Sequence, residues 1–384
     1  MSGAHAHHQP WDLTDERRAA YRRISQESRT AKLKALRGDG PPPLHPINTP
    51  SLDPESLMPR LAVHGLRALS LFSGGGGLDL GFDRAGYTHV ASYELLDDAA
   101  MTLQKAHPEW EVFGGREGDV TTIDWRRYAG HVDVLHGGPP CQPFSMAGRQ
   151  RGAKDIRDGF PTFVSAILSV RPLAFVAENV PALGARKFEG YVSSAILAPL
   201  EREYTVHRFE LCAERFGVPQ VRRRIFFVGF RSAYAAAAFV PPQPTHAPFG
   251  DPVLGGEPAC MGARAALGLG DIGFDGLAPT IRSCLTGPRH TTSVLSSVSA
   301  QRRWERLGIW PNGVAPTRER ARVFVAKNGH FRLSVEDCAI LQGFPESWPF
   351  QGATYMALGQ IGNAVAPPVA YAVARSVKAA LAAS

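Results

Sequence analysis

Between Gly65 and Phe230, short apolar runs alternate with stretches of helical pattern, and this alternation limits what the chain can fold into. The runs are LRALSLF (66–72), THVASYE (88–94), VDVLHGG (132–138), LAFVAEN (173–179), YTVHRFEL (204–211) and IFFVGF (225–230). Helical patterns lie near 77–86, 97–106, 160–170 and 188–203. Strands that alternate with helices in this way predict a doubly wound α/β domain, with ligands at the carboxyl ends of the strands. After Phe230 the alternation fades. Residues 231–330 are rich in Pro, Gly and Arg without a clear period, which predicts a smaller irregular domain. The tail AVAPPVAYAVARSVKAALAA (364–383) reads as helix after Pro368.

The 384 residues are 44% hydrophobic, enough for one large core and a smaller second domain. No apolar run approaches the length of a membrane span, and the polar first ten residues lack the order of a signal peptide. The five cysteines, at 141, 212, 260, 284 and 338, are odd in number and scattered. They suit reduced thiols in a cytoplasmic protein and offer no metal-ligand spacing. A net charge of +7 is compatible with a polyanionic partner but is weak evidence alone. Residues 1–60 read as a basic, Pro-rich extension. A helix capped by Thr14 or Asp15 and running to Arg37 would carry eight basic and three acidic side chains, either as a solvated face or as a DNA-backbone contact. GDGPPPLHPINTP (38–50) reads as a linker.

The turn after the first run is FSGGGGLDLG (72–81). Gly74, Gly76 and Gly77 allow a close backbone approach to a ligand just before a helix begins. Glu94 ends the next run 20 residues after Gly74, where a carboxylate can accept hydrogen bonds from ribose hydroxyls. No Lys-Ser or Lys-Thr follows the glycines, so a phosphate loop is not expected. Asp119, in EGDVTTID, is read as the end of a third strand that could reach an adenine amino group, or equally as a turn aspartate.

HGGPPCQPFS (136–145) runs a strand into two glycines and two prolines that hold Cys141 on a stiff loop, which fits a reactive thiol and a structural cysteine equally well. With this segment, FSGGGG (72–77), ENV (178–180), QVRRR (220–224), RLSVEDCAILQGFP (332–345) and QIGNAVAPP (360–368) resemble, in order, the signature blocks of the cytosine-5 DNA methyltransferases of bacterial restriction–modification type. The blocks span most of residues 66–375.

The resemblance implies a Rossmann-like methyltransferase sheet with a small target-recognition domain. The catalytic domain would comprise 61–230, completed by 359–384, and the recognition domain 231–358. It implies S-adenosylmethionine as methyl donor, held by Phe72, Gly74, Gly76, Gly77, Glu94, Leu95, Asp119, Val120, Pro140, Asn363 and Val365. Cys141 matches the family's nucleophile, which adds to carbon 6 of cytosine and makes carbon 5 enamine-like. Glu178 matches the glutamate at ring nitrogen 3 and must be protonated to donate there, which burial would favour. Asn179 would support that strand end. Arg222 and Arg224 alternate along what reads as a strand edge; Arg224 is the better candidate for the cytosine carbonyl, and Arg222 for a structural role. A stacked base cannot present carbon 6 to a thiol, so base flipping out of double-stranded DNA is implied. Cys338 reads as a core residue. Where the family often has an acid before the Leu-Phe of the first block, this chain has Ser70.

Target choice is expected between the QVRRR and RLSVEDC blocks. Arg282, Thr286, Arg289, His290, Thr291 and Thr292 offer donors to bases or phosphates there. A cognate restriction endonuclease is an open partner. Two other readings are a tRNA cytosine-5 methyltransferase and a nonenzymatic DNA-binding regulator. The first typically carries a Cys-Phe-Thr segment that this chain lacks; intact chemistry-bearing residues speak against the second.

Overall fold

The structure, a computed structural model, describes residues 45–140, 158–251, 256–283, 285, 291–323 and 329–383, with eight single positions between Asp15 and Asp39. Seven strands form one sheet: β1 (Arg67–Leu71), β2 (Thr88–Glu94), β3 (Val112–Gly114), β4 (Val134–Gly137), β5 (Ala174–Asn179), β6 (Thr205–Cys212) and β7 (Arg223–Phe230). Their order is β3-β2-β1-β4-β5-β7-β6. β1 to β5 are parallel, and β7 runs antiparallel between β5 and β6. The expected doubly wound sheet is therefore present.

Its strands show why the apolar runs are nearly continuous. β5 is buried at all six positions, as a strand covered on both faces must be. Neighbouring residues serve opposite faces. Ala68, Val134, Val176 and Val228 join one buried cluster, and Leu69, Leu135, Phe175 and Phe227 join the other. The first face is covered by α1 (Gly77–Arg84) and α7 (Pro367–Ala382), the second by α3 (Phe160–Val170) and a run of helical turns over 186–200; α2 (Asp97–Ala106) follows β2. α1 and α7 touch closely: a Cβ on Gly81 would lie 2.5 Å from the Ala370 Cβ. The terminal helix thus packs against the first strand-helix unit.

Residues 231–358 contain more regular structure than their sequence suggests. They hold α4 (Val298–Arg306), a parallel pair β8 (Ile309–Ala315) and β9 (Phe331–Ser334), and α5 (Val335–Gln342). Ser334 and Asp337 form a reciprocal cap at the start of α5. Trp304, Leu307, Ile309, Leu333 and the fully buried Cys338 belong to the same buried cluster as Val228 and Val373. α6 (Thr354–Asn363) then leads into α7.

Three sequence expectations are corrected. The third strand is Val112–Gly114, and Asp119 lies five residues beyond it in a turn, so it ends no strand. β7 is an interior strand, so Arg224 does not line a sheet edge, and Arg222 precedes the strand. In the 38–50 stretch read as a linker, His45–Pro50 has no regular structure, but Asn48 is buried.

Candidate active site

The chain leaves β1 toward β2 and β3 on one side and returns to β4 and β5 on the other, so strand order reverses between β1 and β4. A crevice opens at the carboxyl ends of such a pair because their connections diverge. Both glycine-rich segments lie there. Phe72–Gly76 follows β1, and Gly138–Pro140 follows β4. Because β7 is antiparallel to β5, its first residues fall at that same end, with Ile225 paired to Asn179.

The glycine turn is built around Glu94. The Gly74 N–H donates to Glu94 Oε2 at 2.6 Å, and the Leu96 N–H donates to Oε1 at 2.8 Å. Burial raises the Glu94 pKa, while these N–H groups oppose the rise. Gly74 (φ +55°) and Gly76 (φ +84°) occupy the left-handed region that favours glycine. A Cβ on Gly74 would meet nothing within 4 Å, so the turn presents an open face. Gly77 has a different reason. A Cβ there would lie 2.2 Å from the Val365 carbonyl oxygen, so only glycine lets α1 begin against the α6–α7 junction. Val365 thereby meets the glycine turn, and Asn363 ends α6 two residues earlier. A Cβ on Gly118 would lie 2.1 Å from Glu94 O, so the backbone before Asp119 and Val120 passes the end of β2. Asp119 Oδ1 accepts from the N–H and hydroxyl of Thr121, the turn role foreseen as its alternative. Leu95 is exposed. Ser70 contacts Ser73 through their hydroxyls at 2.8 Å, within the same turn.

Across the crevice, Phe72 and Pro140 close on Gly159, where a Cβ would lie 3.0 Å from Phe72 Cζ and 2.5 Å from Pro140 Cδ. Cys141 is the next residue and lies outside the described residues. The loop before it is tied to β5. Asn179 Nδ2 donates to Pro139 O at 2.9 Å, and Asn179 Oδ1 accepts from the Val180 N–H. Glu178 sits beside that loop, with Oε2 at 3.2 Å from where a Gly138 Cβ would stand. Arg224 Nε lies 2.6 Å from Glu178 Oε1; Glu178 is buried and Arg224 is partly buried. Burial pushes the Glu178 carboxyl above the usual range, with the two arginine charges acting against it, and burial likewise lowers Arg224. When it is protonated, a buried acid beside a guanidinium can donate to one ligand atom while its neighbour donates to another.

Arg222 is employed elsewhere. Its Nη2 donates to Gly362 O at 2.9 Å and Ala364 O at 2.6 Å, fixing the junction that carries Val365. Gln342 Nε2 also donates to Ala364 O, while Gln220 Nε2 donates to Gln342 Oε1 and Leu341 O. Gln220 Oε1 accepts from the Ile281 N–H. All three side chains are buried. Gln220 and Gln342 are not among the expected site residues, although both stand inside the signature blocks; a polar residue amid apolar ones was the available signal. They join QVRRR, LQGFP, QIGNAV and the segment beginning at Ala278, whose carbonyl accepts from the Val221 N–H. Thr280 Oγ1 donates to Val221 O, and Gly362 packs directly on the Arg282–Ser283 backbone. Arg282 therefore starts beside the arginine block. Thr291 Oγ1 accepts from the Ser293 N–H, and Thr292 O accepts from the Val314 N–H. Thr286, Arg289 and His290 lie outside the described residues. Among the described residues, no group of three or more His, Cys, Asp or Glu could hold a metal, and no helix is long and apolar enough to cross a membrane.

Comparison with known proteins gives a consistent result. The family model described as C-5 cytosine-specific DNA methylase matches residues 66–250 and 279–379. The chain is 33% identical over 321 residues to the Type II methyltransferase M.NgoMIV of Neisseria gonorrhoeae, covering 82% of this chain and 97% of that protein. It is also 33% identical over 323 residues to the Type II methyltransferase M.NaeI of Lentzea aerocolonigenes, covering 83% and 76%. A solved structure of a putative prophage-encoded DNA modification methyltransferase from E. coli shares the fold, with a TM-score of 0.57 at 24% identity, over 83% of this chain and all of that one.

Proposed function

The chain belongs to the C-5 cytosine-specific DNA methylase family and is a DNA cytosine-5 methyltransferase, and from that premise we propose that it methylates a flipped-out cytosine in a specific duplex sequence. The observation that carries this reading is the ion pair of buried Glu178 with Arg224, 2.6 Å apart, beside the loop that leads to Cys141. The relatives named as Type II methyltransferases support a restriction–modification role in the cytoplasm, in which methylation shields the site from a cognate endonuclease.

The residues around Gly74 fit S-adenosylmethionine. Glu94 keeps acceptor capacity beyond its two backbone bonds, and Gly74 leaves open space above the turn. Phe72, Gly76, Gly77, Leu95, Asp119, Val120, Pro140, Asn363 and Val365 complete the proposed cradle. When bound, this cofactor supplies an electrophilic methyl group.

Cys141, as thiolate, forms a bond to carbon 6 of the extruded base. Protonated Glu178 donates to nitrogen 3 and so absorbs the charge that this attack pushes into the ring. Arg224 donates to the carbonyl oxygen and orients the ring. Carbon 5, now nucleophilic, takes the methyl group. Loss of its proton to water then expels the Cys141 thiolate and restores the aromatic ring. A duplex base must leave the stack for any of this to occur. Residues 231–358, which include the segment that carries Arg282, read the flanking sequence; residues 61–230 with 359–384 do the chemistry.

Labelled methyl transfer from S-adenosylmethionine to duplex DNA, followed by bisulfite sequencing, tests the proposal. Label confined to cytosine at one recurring sequence is expected. Label transferred only to tRNA would overturn it.

A further inference from the structure

The glycine turn has a packed back as well as an open face. Behind it, Trp348 Nε1 donates to Gly75 O at 2.9 Å, and the indole is buried. A Cβ on Gly75 would lie 3.0 Å from the Gln360 Cβ and 3.1 Å from Phe350 Cε1. One on Gly76 would lie 2.6 Å from Leu103 Cδ2 and 2.9 Å from Trp348 Cζ2. Gly74, by contrast, would meet nothing within 4 Å. The Gly75–Gly76 peptide is held at both ends, since its N–H donates to Ser73 O while its carbonyl accepts from the indole. Glycines on either side offer little backbone resistance to rotation of that peptide. The indole N–H therefore keeps a partly negative oxygen on the packed side of the turn.

The segment that delivers the indole is itself fixed by buried side chains. Residues 343–353 connect α5 to α6, and Glu346 pairs there with Arg318. The Gln351 N–H donates to Thr102 Oγ1 at 2.9 Å, and Thr102 Oγ1 donates to Gln360 Oε1 at 2.7 Å. Gln360 Nε2 donates back to Gln351 O at 2.9 Å, which closes the ring of bonds. Thr102, on α2, and Gln360, on α6, are both buried. A satisfied buried network of this kind specifies one geometry.

We propose that Trp348 is a positioning residue for the S-adenosylmethionine site, its indole N–H fixing the Gly75–Gly76 peptide before the cofactor arrives. Thr102, Gln351 and Gln360 hold the indole in place. The inference rests on the reading of the Gly74 turn as the cofactor site. A turn ordered in advance loses less conformational freedom on binding, so the effect falls on cofactor affinity.

The test is calorimetric binding of S-adenosylmethionine, and of its demethylated product S-adenosylhomocysteine, to the full chain and its variants. Trp348→Phe keeps a ring and removes the donor. It should weaken both ligands about 5- to 10-fold, the scale of one hydrogen bond. Thr102→Val should weaken them in the same direction, whereas Thr102→Ser, which keeps the hydroxyl, should match the parent. In steady state the cofactor KM of Trp348→Phe should rise in proportion, with kcat at saturation and the KM for duplex DNA unchanged. Parent affinity in Trp348→Phe, even with a lowered melting temperature, would make Trp348 a packing residue and overturn the proposal. So would a lowered kcat at parent affinity. Should Trp348→Phe fail to fold, the Thr102 pair decides: equal affinities in the Val and Ser variants would overturn it. A parent chain that binds neither ligand would instead strike the reading of the cofactor site itself.

Discussion

The Asn179 side-chain amide donates to the Pro139 carbonyl at 2.9 Å, two residues before Cys141. Through this bond the end of β5, which bears Glu178, is tied to Pro139, in the residues that lead to Cys141. Asn179→Ala should therefore lower kcat about 10- to 100-fold, the scale on which small misplacements of reacting groups act. Cofactor affinity should stay at the parent value, since the Gly74 turn is held by Glu94 and not by Asn179. Steady-state kinetics with calorimetric cofactor binding would check it, and an unchanged kcat would show that the loop is held by other means.

Glu178 is raised by burial and must be protonated to donate to nitrogen 3. Activity should therefore fall on the alkaline side as Glu178 ionises, against a rise set by ionisation of Cys141. In Glu178→Gln the donor cannot ionise, so the alkaline fall should disappear, although the maximum rate drops. The kcat–pH profile decides the point. Retention of the same alkaline limb in the variant would assign it to another group.

Arg222 ties Gly362 O and Ala364 O to the start of β7. Arg222→Met removes both donations and leaves a buried carbonyl without this partner, at a cost of about 2 kcal/mol. Because Val365 adjoins Ala364 and sits on Gly77, cofactor affinity should fall as well. Denaturant unfolding and calorimetry measure the two effects. A loss of stability with no change in cofactor affinity would separate the junction from the cradle.

His136 is fully buried in β4, stacked on Phe82 at 4.2 Å, and burial lowers its pKa to about 4. The unfolded chain takes up a proton below the ordinary value of about 6.5, whereas the folded chain resists it until about 4. Folded stability should thus decline as pH falls through this window, by about 3 kcal/mol in full. His136→Phe should flatten that part of the stability curve. An equally steep acid decline in the variant would move its origin to other groups.

The sheet was legible because its apolar runs needed only local pattern: all six quoted runs became strands. A spacing of 20 residues singles out Gly74 and Glu94, and block order singles out Glu178 and Arg224, but that each pair is in contact is visible only in the fold. Other features depend on contacts between distant residues. β7 is interior because β6 adds beyond it, which no single run reveals. Gly77 is a packing glycine because of Val365, 288 positions later in the chain. Asn48 reads as part of a Pro-rich linker, since its partners, Leu267 and Asp337, are 219 and 289 residues away. Asp119 reads as a strand end because Val112–Gly114 is too short to carry a period of its own.

The central claim is that Cys141 bonds covalently to the target base before carbon 5 is methylated. A duplex with 5-fluorocytosine at the methylated position tests it most directly, because a carbon–fluorine bond cannot be cleared as the carbon–hydrogen bond is. With S-adenosylmethionine present, a denaturant-stable protein–DNA adduct should form, map to the peptide containing Cys141, and be absent in Cys141→Ser. An enzyme that methylates the ordinary duplex yet yields no adduct, or an adduct at another residue, would contradict the account.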